Sequence, residues 1–242
     1  MNLIVSRTSV PAFNLAAEEY LFSKKGEDFL LLYRNTPSVI IGSNQAVLNE
    51  VDLDFCIEND IRIIRRMSGG GAVYHDLGNF NYSFIHGQTD APLSARFLDP
   101  VVKALHAMGI PVEIRKRKDL WLGKDKVSGT ASHLSRGREL HHGTLLYDSD
   151  LQKLTRALRA ENRNLISRAT ASVVSPVCNI RDYLEKKIGV APGVEAFFQQ
   201  WTDQMARLLS VEEARTFEDH DVARVQELQA TKYTSREWNY RK

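Results

Sequence analysis

The residues best suited to chemistry lie in one short run, Arg65-Arg66-Met67-Ser68-Gly69-Gly70-Gly71-Ala72-Val73-Tyr74-His75-Asp76. Three consecutive glycines free the backbone and remove side chains. In such a turn, successive N–H groups can converge on an anion. The two arginines add charge-assisted donors that match phosphate or carboxylate. The run is not the dinucleotide pattern G-x-G-x-x-G, and no Gly-Lys-Ser/Thr follows to make a P-loop. Three glycines alone would suit a plain tight turn between strands. With two arginines, Ser68, His75 and Asp76 close by, a nucleotide or acyl-phosphate site is the better reading.

The chain has two thiols, Cys56 and Cys178. Two cysteines imply no disulfide framework. Cys56, in Asp54-Phe55-Cys56-Ile57, reads as structural. Cys178 is a candidate nucleophile, weighed against the common role of a free cysteine as a small buried hydrophobe.

The elements that must hold these residues can be read from periodicity. Residues 13–24 carry Phe13, Ala16, Ala17, Tyr20 and Leu21 at helical spacing. Residues 28–34 form an apolar run expected to be a buried strand. Thr36-Pro37 marks a turn before a second strand at 38–41. A third β-like run, 61–65, leads into the glycines, and 80–85 is strand-like again. Residues 92–108 are expected to be helical, stopped by Gly109-Ile110-Pro111. Strands are expected at 127–131 and 144–147, and helices at 152–160, 192–209 and 221–229. Helices mixed with strands, without strict βα alternation, predict an α/β (α+β) fold with mixed β-sheets flanked by helices.

Composition narrows the class. Of 242 residues, 43% are hydrophobic and 26% charged, as in ordinary soluble domains. A net charge of +2 gives no reason to invoke nucleic acid. No apolar run approaches the ~20 residues that a membrane span needs. The N-terminus lacks the order of a signal peptide. Free thiols without an export signal predict a cytoplasmic protein.

The run from Arg65 to Asn79 closely resembles the signature of lipoate–protein ligases. Lys126-Val127-Ser128-Gly129-Thr130-Ala131 and His141-His142-Gly143-Thr144-Leu145-Leu146 resemble two further motifs of that family, in the family's order. Asn14-Leu15-Ala16-Ala17-Glu18-Glu19 and Ile41-Gly42-Ser43-Asn44-Gln45 are also similar. The resemblance covers about residues 11–240. It implies a catalytic domain like that of biotin–protein ligases, with mixed sheets and outer helices. It implies two steps: lipoate and ATP form lipoyl-AMP, then the acyl group passes to a lysine on a carrier.

The carriers implied are lipoyl domains of 2-oxoacid dehydrogenase E2 subunits and the glycine-cleavage H protein. By similarity, Arg66 contacts the nucleotide. Gly71, Ala72, Val73 and Tyr74 line the lipoyl-adenylate site with their backbone. Lys126 is the catalytic residue, contacting acyl carbonyl and phosphate, where a fixed ammonium stabilises growing negative charge. Ser68, His75, Asp76 and Asn79 are further candidates within the motif. Mg2+ is expected with ATP, but no carboxylate cluster identifies its ligands, and Asp119 is one candidate. His142 is a candidate catalytic histidine, against the commoner structural role of a histidine leading into a strand. An apolar slot for lipoate is expected, with Tyr74, Phe80 and Tyr82 as candidate lining or ordinary core. The basic run Arg115-Lys116-Arg117-Lys118 reads as a solvated face or as a guide for an acidic carrier.

Three departures keep alternatives open. The chain ends two residues after Arg236-Glu237-Trp238-Asn239-Tyr240, where many family members continue into a small accessory domain. The expectation is therefore one catalytic domain, 1–242, working alone or with a separate small subunit. The alternative is a lipoyltransferase that uses preformed lipoyl-AMP, or one half of a two-chain ligase. Next, Val174 and Pro176 replace the basic residues usual in that region, and Thr170-Ala171-Ser172 is more similar to lipoyltransferases. Finally, Cys178 lies near the nucleophile position of one octanoyltransferase class, where a thiolate beside Lys126 would have a lowered pKa. A second octanoyltransferase type keeps a cysteine shortly before the lysine motif, and residues 115–122 have none. A non-catalytic lipoate- or carrier-binding protein is the remaining alternative.

Overall fold

The computed structural model describes residues 1–160, 169–173 and 175–241. Its strands are β1 (Asn2–Val5), β2 (Phe29–Arg34), β3 (Ser38–Ile41), β4 (Arg62–Arg65), β5 (Val73–His75), β6 (Asn79–Gly87), β7 (Glu113–Ile114), β8 (Leu120–Leu122), β9 (Asp125–Ser128), β10 (Thr130–Ser135) and β11 (Arg138–Leu146). Its helices are α1 (Pro11–Ser23), α2 (Val47–Glu50), α3 (Leu53–Glu58), α4 (Asp99–Ala107), α5 (Leu151–Ala157), α6 (Ile180–Ile188), α7 (Val194–Leu208), α8 (Asp219–Leu228) and α9 (Arg236–Asn239).

Three sheets follow. The largest has the order β1-β2-β6-β11-β10. β1 runs parallel to β2, and the other neighbours are antiparallel. The second sheet is β4-β3-β5 and the third β7-β8-β9. This is the mixed-sheet α/β class expected from the sequence.

β2 is apolar throughout because both of its faces are covered. Leu30 and Leu32 join one core with Phe80, Tyr82, α4 and Trp201 of α7. Leu31 and Tyr33 join a second core with Leu15, Ala16, Ala17 and Leu21 of α1. Burying one such leucine contributes about 1.5–3 kcal/mol. α1 starts with Pro11 in its first turn, where a missing N–H costs nothing. A third core, with Val39, Ile41, Cys56 and Tyr74, lies under the second sheet.

Two expected elements change shape. The strand expected at 127–131 is broken at Gly129 into β9 and β10. The Gly129 N–H donates to Thr144 Oγ1 at 3.0 Å instead of extending a strand. The helix expected from Pro92 starts later. Leu93 has a φ of +58°, Ala95–Leu98 is a 3-10 turn, and α4 begins at Asp99. Pro100 explains the boundary, since proline is tolerated only in a helix's first turn. β1, β5, β7, β8, α2, α3, α6 and α9 have no counterpart among the expected elements, and all but α6 are six residues or shorter.

Candidate active site

The second sheet and β9–β11 face each other across a cleft of about 290 Å³. One wall is the turn Gly70-Gly71-Ala72-Val73, and the other carries Asp119, Lys126 and Gly129–Ala131. Leu15, Tyr33 and Ile40 make one end apolar. Thr170, Ala171, Ser172 and Val173 line it as well.

The glycine turn is shaped by close approach. Gly70 has a φ of +87°, and a Cβ on Gly42 would collide with the Gly70 carbonyl. Arg66 then fixes the turn from inside. Its guanidinium donates to the carbonyls of Ile40 (2.9 Å), Gly69 (2.6 Å) and Gly71 (2.7 Å). Its Nε also donates to Ser68 Oγ at 3.1 Å. Burial brings the Arg66 pKa down to about 10, so it remains a cation at neutral pH.

That cation heads a buried relay. Ser68 Oγ lies 2.7 Å from His142 Nε2, and His142 Nδ1 lies 3.0 Å from Glu18 Oε1. Tyr33 Oη and Ser83 Oγ also donate to Glu18. Burial alone would raise the Glu18 pKa, but His142 and the hydroxyl donors outweigh it and the pKa is lowered. An ionised Glu18 only accepts, so His142 donates to it from Nδ1, while its Nε2 is engaged with the Ser68 hydroxyl. Ser68 is wholly buried, and its oxygen already accepts from Arg66. The trio therefore positions the glycine turn, and Ser68 is not presented as a nucleophile.

His75 faces the cleft differently. Asn35 Nδ2 donates to its Nδ1 at 3.0 Å, while Asn14 donates to Asn35 Oδ1 at 2.8 Å. Its Nε2 is buried and lacks a partner among the described residues. Burial, then Arg66 and His142, bring the His75 pKa down to about 3. His75 is thus a neutral imidazole whose Nε2–H is buried and unsatisfied among the described residues.

On the facing wall, Lys126 Nζ pairs with Asp119 at 3.2 Å. Its backbone is clamped, with Lys126 N–H donating to Pro176 O (2.9 Å) and Cys178 N–H to Lys126 O (3.2 Å). Among the described residues Asp119 is the one carboxylate lining the cleft, against Arg66, Arg117 and Lys126. Asp119, already paired with Lys126, could supply one oxygen to a divalent cation such as Mg2+, which keeps several waters and few protein ligands. His86, Glu139 and His141 form a separate group with metal-ligand chemistry. None of the three lines the cleft, and Glu139 is occupied in holding Thr89 and Leu93.

Several expected site residues lie elsewhere. Tyr74 is not a cleft residue: its side chain sits in the third core. Phe80 and Tyr82 are core, packed with Trp201, because β6 turns them away from the slot. Asp76 ties the turn after β5 to α5 by accepting from the N–H groups of Gly78 (3.0 Å) and Asp150 (2.8 Å). Asn79 supports Asn81, which itself lines the cleft. Arg65 points away from the site. All its guanidinium donors go to backbone carbonyls, among them Gly42, Gln45, Trp238 and Arg241.

The thiol of Cys178 packs against the main core and does not line the cleft. Burial, then Asp125 and Asp182, push it up to about 11, so the lowered value expected from Lys126 is corrected. Lys126 reaches Cys178 only through the backbone. Val174 lies outside the described residues.

The sequence reading missed Glu18, Asn35, Asn81 and the lining role of Arg117. Glu18 had a signal: it sits three residues after Leu15 and three before Leu21, an acid on the apolar face of α1. Ser172 also gains a definite place. Its Oγ accepts from Ala72 N–H (2.8 Å) and Gln45 Nε2 (3.0 Å), which draws residues 170–173 against the glycine turn.

A charged cleft with apolar lining, walled by a glycine turn and a clamped lysine, suits an anionic ligand that carries an apolar body. Residues 10–202 match the family described as "Lipoyl protein ligase A/B catalytic domain", and the chain belongs to that family. It is 40% identical over 182 residues to lipoate-protein ligase LplJ of Bacillus subtilis, covering 74% of this chain and 55% of that one. It is 35% identical to lipoate–protein ligase 1 of Staphylococcus aureus, covering 95% of this chain and 70% of that one. The chain thus spans little more than half the length of the first relative.

Solved structures agree. A Thermoplasma acidophilum chain with bound lipoic acid superposes with a TM-score of 0.80 at 26% identity, covering 99% of this chain and 100% of that one. A bi-partite lipoate protein ligase of T. acidophilum, described together with its E2 lipoyl domain, gives 0.81 at 27%, covering 99% and 96%. A lipoate-protein ligase A bound with ATP gives 0.80 at 26%, covering 99% of each chain.

Proposed function

We propose that this chain is a lipoate–protein ligase catalytic domain that activates lipoate with ATP and transfers the lipoyl group to a carrier lysine. The observation that carries the reading is Lys126, held across one cleft from the glycine turn, with an apolar end beside both. The relatives' names, and the neighbours solved with lipoic acid and with ATP, support the same substrates.

In the first step a lipoate carboxylate oxygen attacks the α-phosphorus and pyrophosphate leaves. In the second, a lysine amine attacks the acyl carbonyl and AMP leaves. Both steps place negative charge on oxygen beside Lys126, where a fixed ammonium acts more strongly on the transition state than on the ground state. Arg66, Gly71, Ala72 and Val73 form the adenylate wall. Mg2+ would be held by Asp119 and would neutralise phosphate charge. Leu15, Tyr33 and Ile40 would receive the aliphatic chain.

The carriers proposed are E2 lipoyl domains, as for the T. acidophilum neighbour, and the glycine-cleavage H protein. A cytoplasmic location fits the two free thiols. No helix among the described residues is long and apolar enough to cross a membrane.

A second reading has specific support. The likeness to a chain of a bi-partite lipoate protein ligase supports a reading in which this domain works with a separate partner chain, and by itself transfers preformed lipoyl-AMP. Intact-mass spectrometry of an apo lipoyl domain distinguishes the readings with three donors: lipoate with Mg-ATP, synthetic lipoyl-adenylate, and octanoyl-carrier protein. A lipoyl mass shift with ATP establishes the ligase. A shift only with the adenylate establishes the second reading. A shift only with octanoyl-carrier protein overturns both.

A further inference from the structure

β6 and β11 carry a group of side chains that the acyl chemistry leaves unused. Glu139 and His141 stand two apart on β11, so strand alternation turns both to one face of the sheet. His86 of β6 lies directly opposite Glu139 in the register and shares that face. His142, the histidine of the buried relay, points to the other face. One donor atom from each of His86, Glu139 and His141 lies within 4.8 Å of the others. None of the three lines the cleft.

Their surroundings prepare them as ligands. Glu139 and His141 are buried, and His86 is half-buried at the rim. Glu139 Oε1 accepts from the Thr89 N–H (2.8 Å) and hydroxyl (3.0 Å), and Oε2 accepts from the Leu93 N–H (2.8 Å). These contacts orient the carboxylate and leave Oε2 one lone pair, which faces His141 Nε2 at 2.9 Å. Burial would raise the Glu139 pKa, but the donors around it outweigh burial and hold it at about 2, so it is an anion. His141 Nδ1 lies 2.8 Å from Ser132 Oγ. His86 Nδ1 donates to the Gly87 carbonyl at 2.8 Å, so in the neutral ring Nε2 keeps the lone pair. Phe97 stacks on the His141 ring at 4.4 Å and covers it with apolar surface. Lys118, a cation that acts on His141, is turned to the Leu93 carbonyl. Carbonyl, hydroxyl and N–H partners of this kind are what fix the tautomer and aim of metal ligands.

From this arrangement we propose that His86, Glu139 and His141 form a binding site for a divalent transition-metal ion of the zinc class, with two imidazoles and one carboxylate as donors. Ligand atoms in a tetrahedral zinc site stand about 3.3 Å apart. Glu139 and His141 are already at 2.9 Å, with a proton between them. The ion takes the place of that proton. The proton passes to His141 Nδ1, where the Ser132 hydroxyl accepts it, so the ring stays neutral. The half-buried His86 closes the remaining distance, and water takes the fourth position from its exposed side. Mg2+ prefers oxygen donors and does not suit two imidazoles. The bound ion clasps β6 to β11 and to segment 89–93. The site is separate from the proposed acyl chemistry and stands whether or not that chemistry is ATP-dependent.

The test titrates the metal-free full chain with Zn2+ by calorimetry and with Co2+ by visible absorption. The expected result is one saturable ion per chain, with the strong ligand-field bands of a four- or five-coordinate Co2+. Thiolate charge-transfer bands, which Cys56 or Cys178 would give, should be missing, and Mg2+ should not compete. His86→Ala removes the rim ligand and leaves the buried pair in place. It should weaken Zn2+ binding tenfold or more, while the metal-free chain melts at the same temperature. Ser132→Ala, which takes the partner from His141 Nδ1, should weaken binding about tenfold and keeps the test open if His86→Ala fails to fold. Zn2+ should raise the melting temperature of the wild type and not of His86→Ala. The exposed His220, beside Glu218 and Asp221, is the place for an adventitious ion, and His220→Ala should leave the titration unchanged. No saturable binding, equal affinity in His86→Ala and Ser132→Ala, or loss of binding in His220→Ala overturns the proposal.

Discussion

The two walls of the cleft are built by different means. The glycine wall is held by buried charge: Arg66, Ser68, His142 and Glu18 form a continuous relay from β4 across β11 to α1. The lysine wall is held by backbone. Lys126 is pinned by Pro176 and Cys178, Gly129 by the Thr144 hydroxyl, and Lys126 Nζ pairs with Asp119. One wall is thus fixed before any ligand arrives, with its cation spent on its own carbonyls. The other presents a cation whose single partner is an ion pair that an incoming anion can share. Pre-set dipoles cost no reorganisation when charge develops, so the division suits acyl transfer.

The largest expected effect comes from cutting the buried relay. His142→Ala strips Glu18 and Ser68 of their shared partner and should cost about 3–5 kcal/mol, read as a fall in the denaturant midpoint. An unchanged midpoint would mean that the glycine wall does not depend on the relay. Next is Gly42→Ala, which drives a methyl into the Gly70 carbonyl. It should cost about 1–3 kcal/mol and weaken adenylate binding as the turn is displaced.

His75 supplies a pH signature. Its folded value of about 3 lies below the ordinary 6.5, so the unfolded chain takes up a proton first on acidification. Its contribution is complete above pH 6.5 and is lost as pH falls toward 3. Within that window it should add about 1.4 kcal/mol per pH unit to the slope of stability. His75→Gln, which keeps an acceptor for Asn35, should flatten that slope, and an unchanged slope would contradict the buried neutral imidazole. Smallest is Asp119→Asn on the other wall. Lys126 is about one-fifth exposed, so the stability change should be about 1 kcal/mol or less, while the Mg2+ dependence of activation should rise.

Much of the lysine wall and the glycine turn could be read from the sequence, because both are contiguous motifs whose chemistry travels with their spacing. The main strands could be read for the same reason: β2 and β3 are unbroken apolar runs. The relay was less visible. Ser68 and His142 were candidates, but Glu18 lies 124 residues from His142 and meets it only through the packing of α1 on the largest sheet. Arg65 and Arg66 looked equivalent in the run. Strand alternation puts one on each side of β4, so Arg65 fastens the C-terminal residues while Arg66 fastens the turn. Cys178 shows the limit of proximity in sequence motifs. It neighbours Lys126 through a backbone bridge, yet its thiol faces the core, where burial raises its pKa.

The central claim is that Lys126 carries the chemistry while the glycine wall provides the frame. Its most direct test is the single-turnover rate of lipoyl transfer from synthetic lipoyl-adenylate to an apo lipoyl domain, compared between the wild type and Lys126→Met. The account predicts a loss of about 10²–10³-fold in rate with an unchanged melting temperature. Equal rates in the two proteins would contradict it.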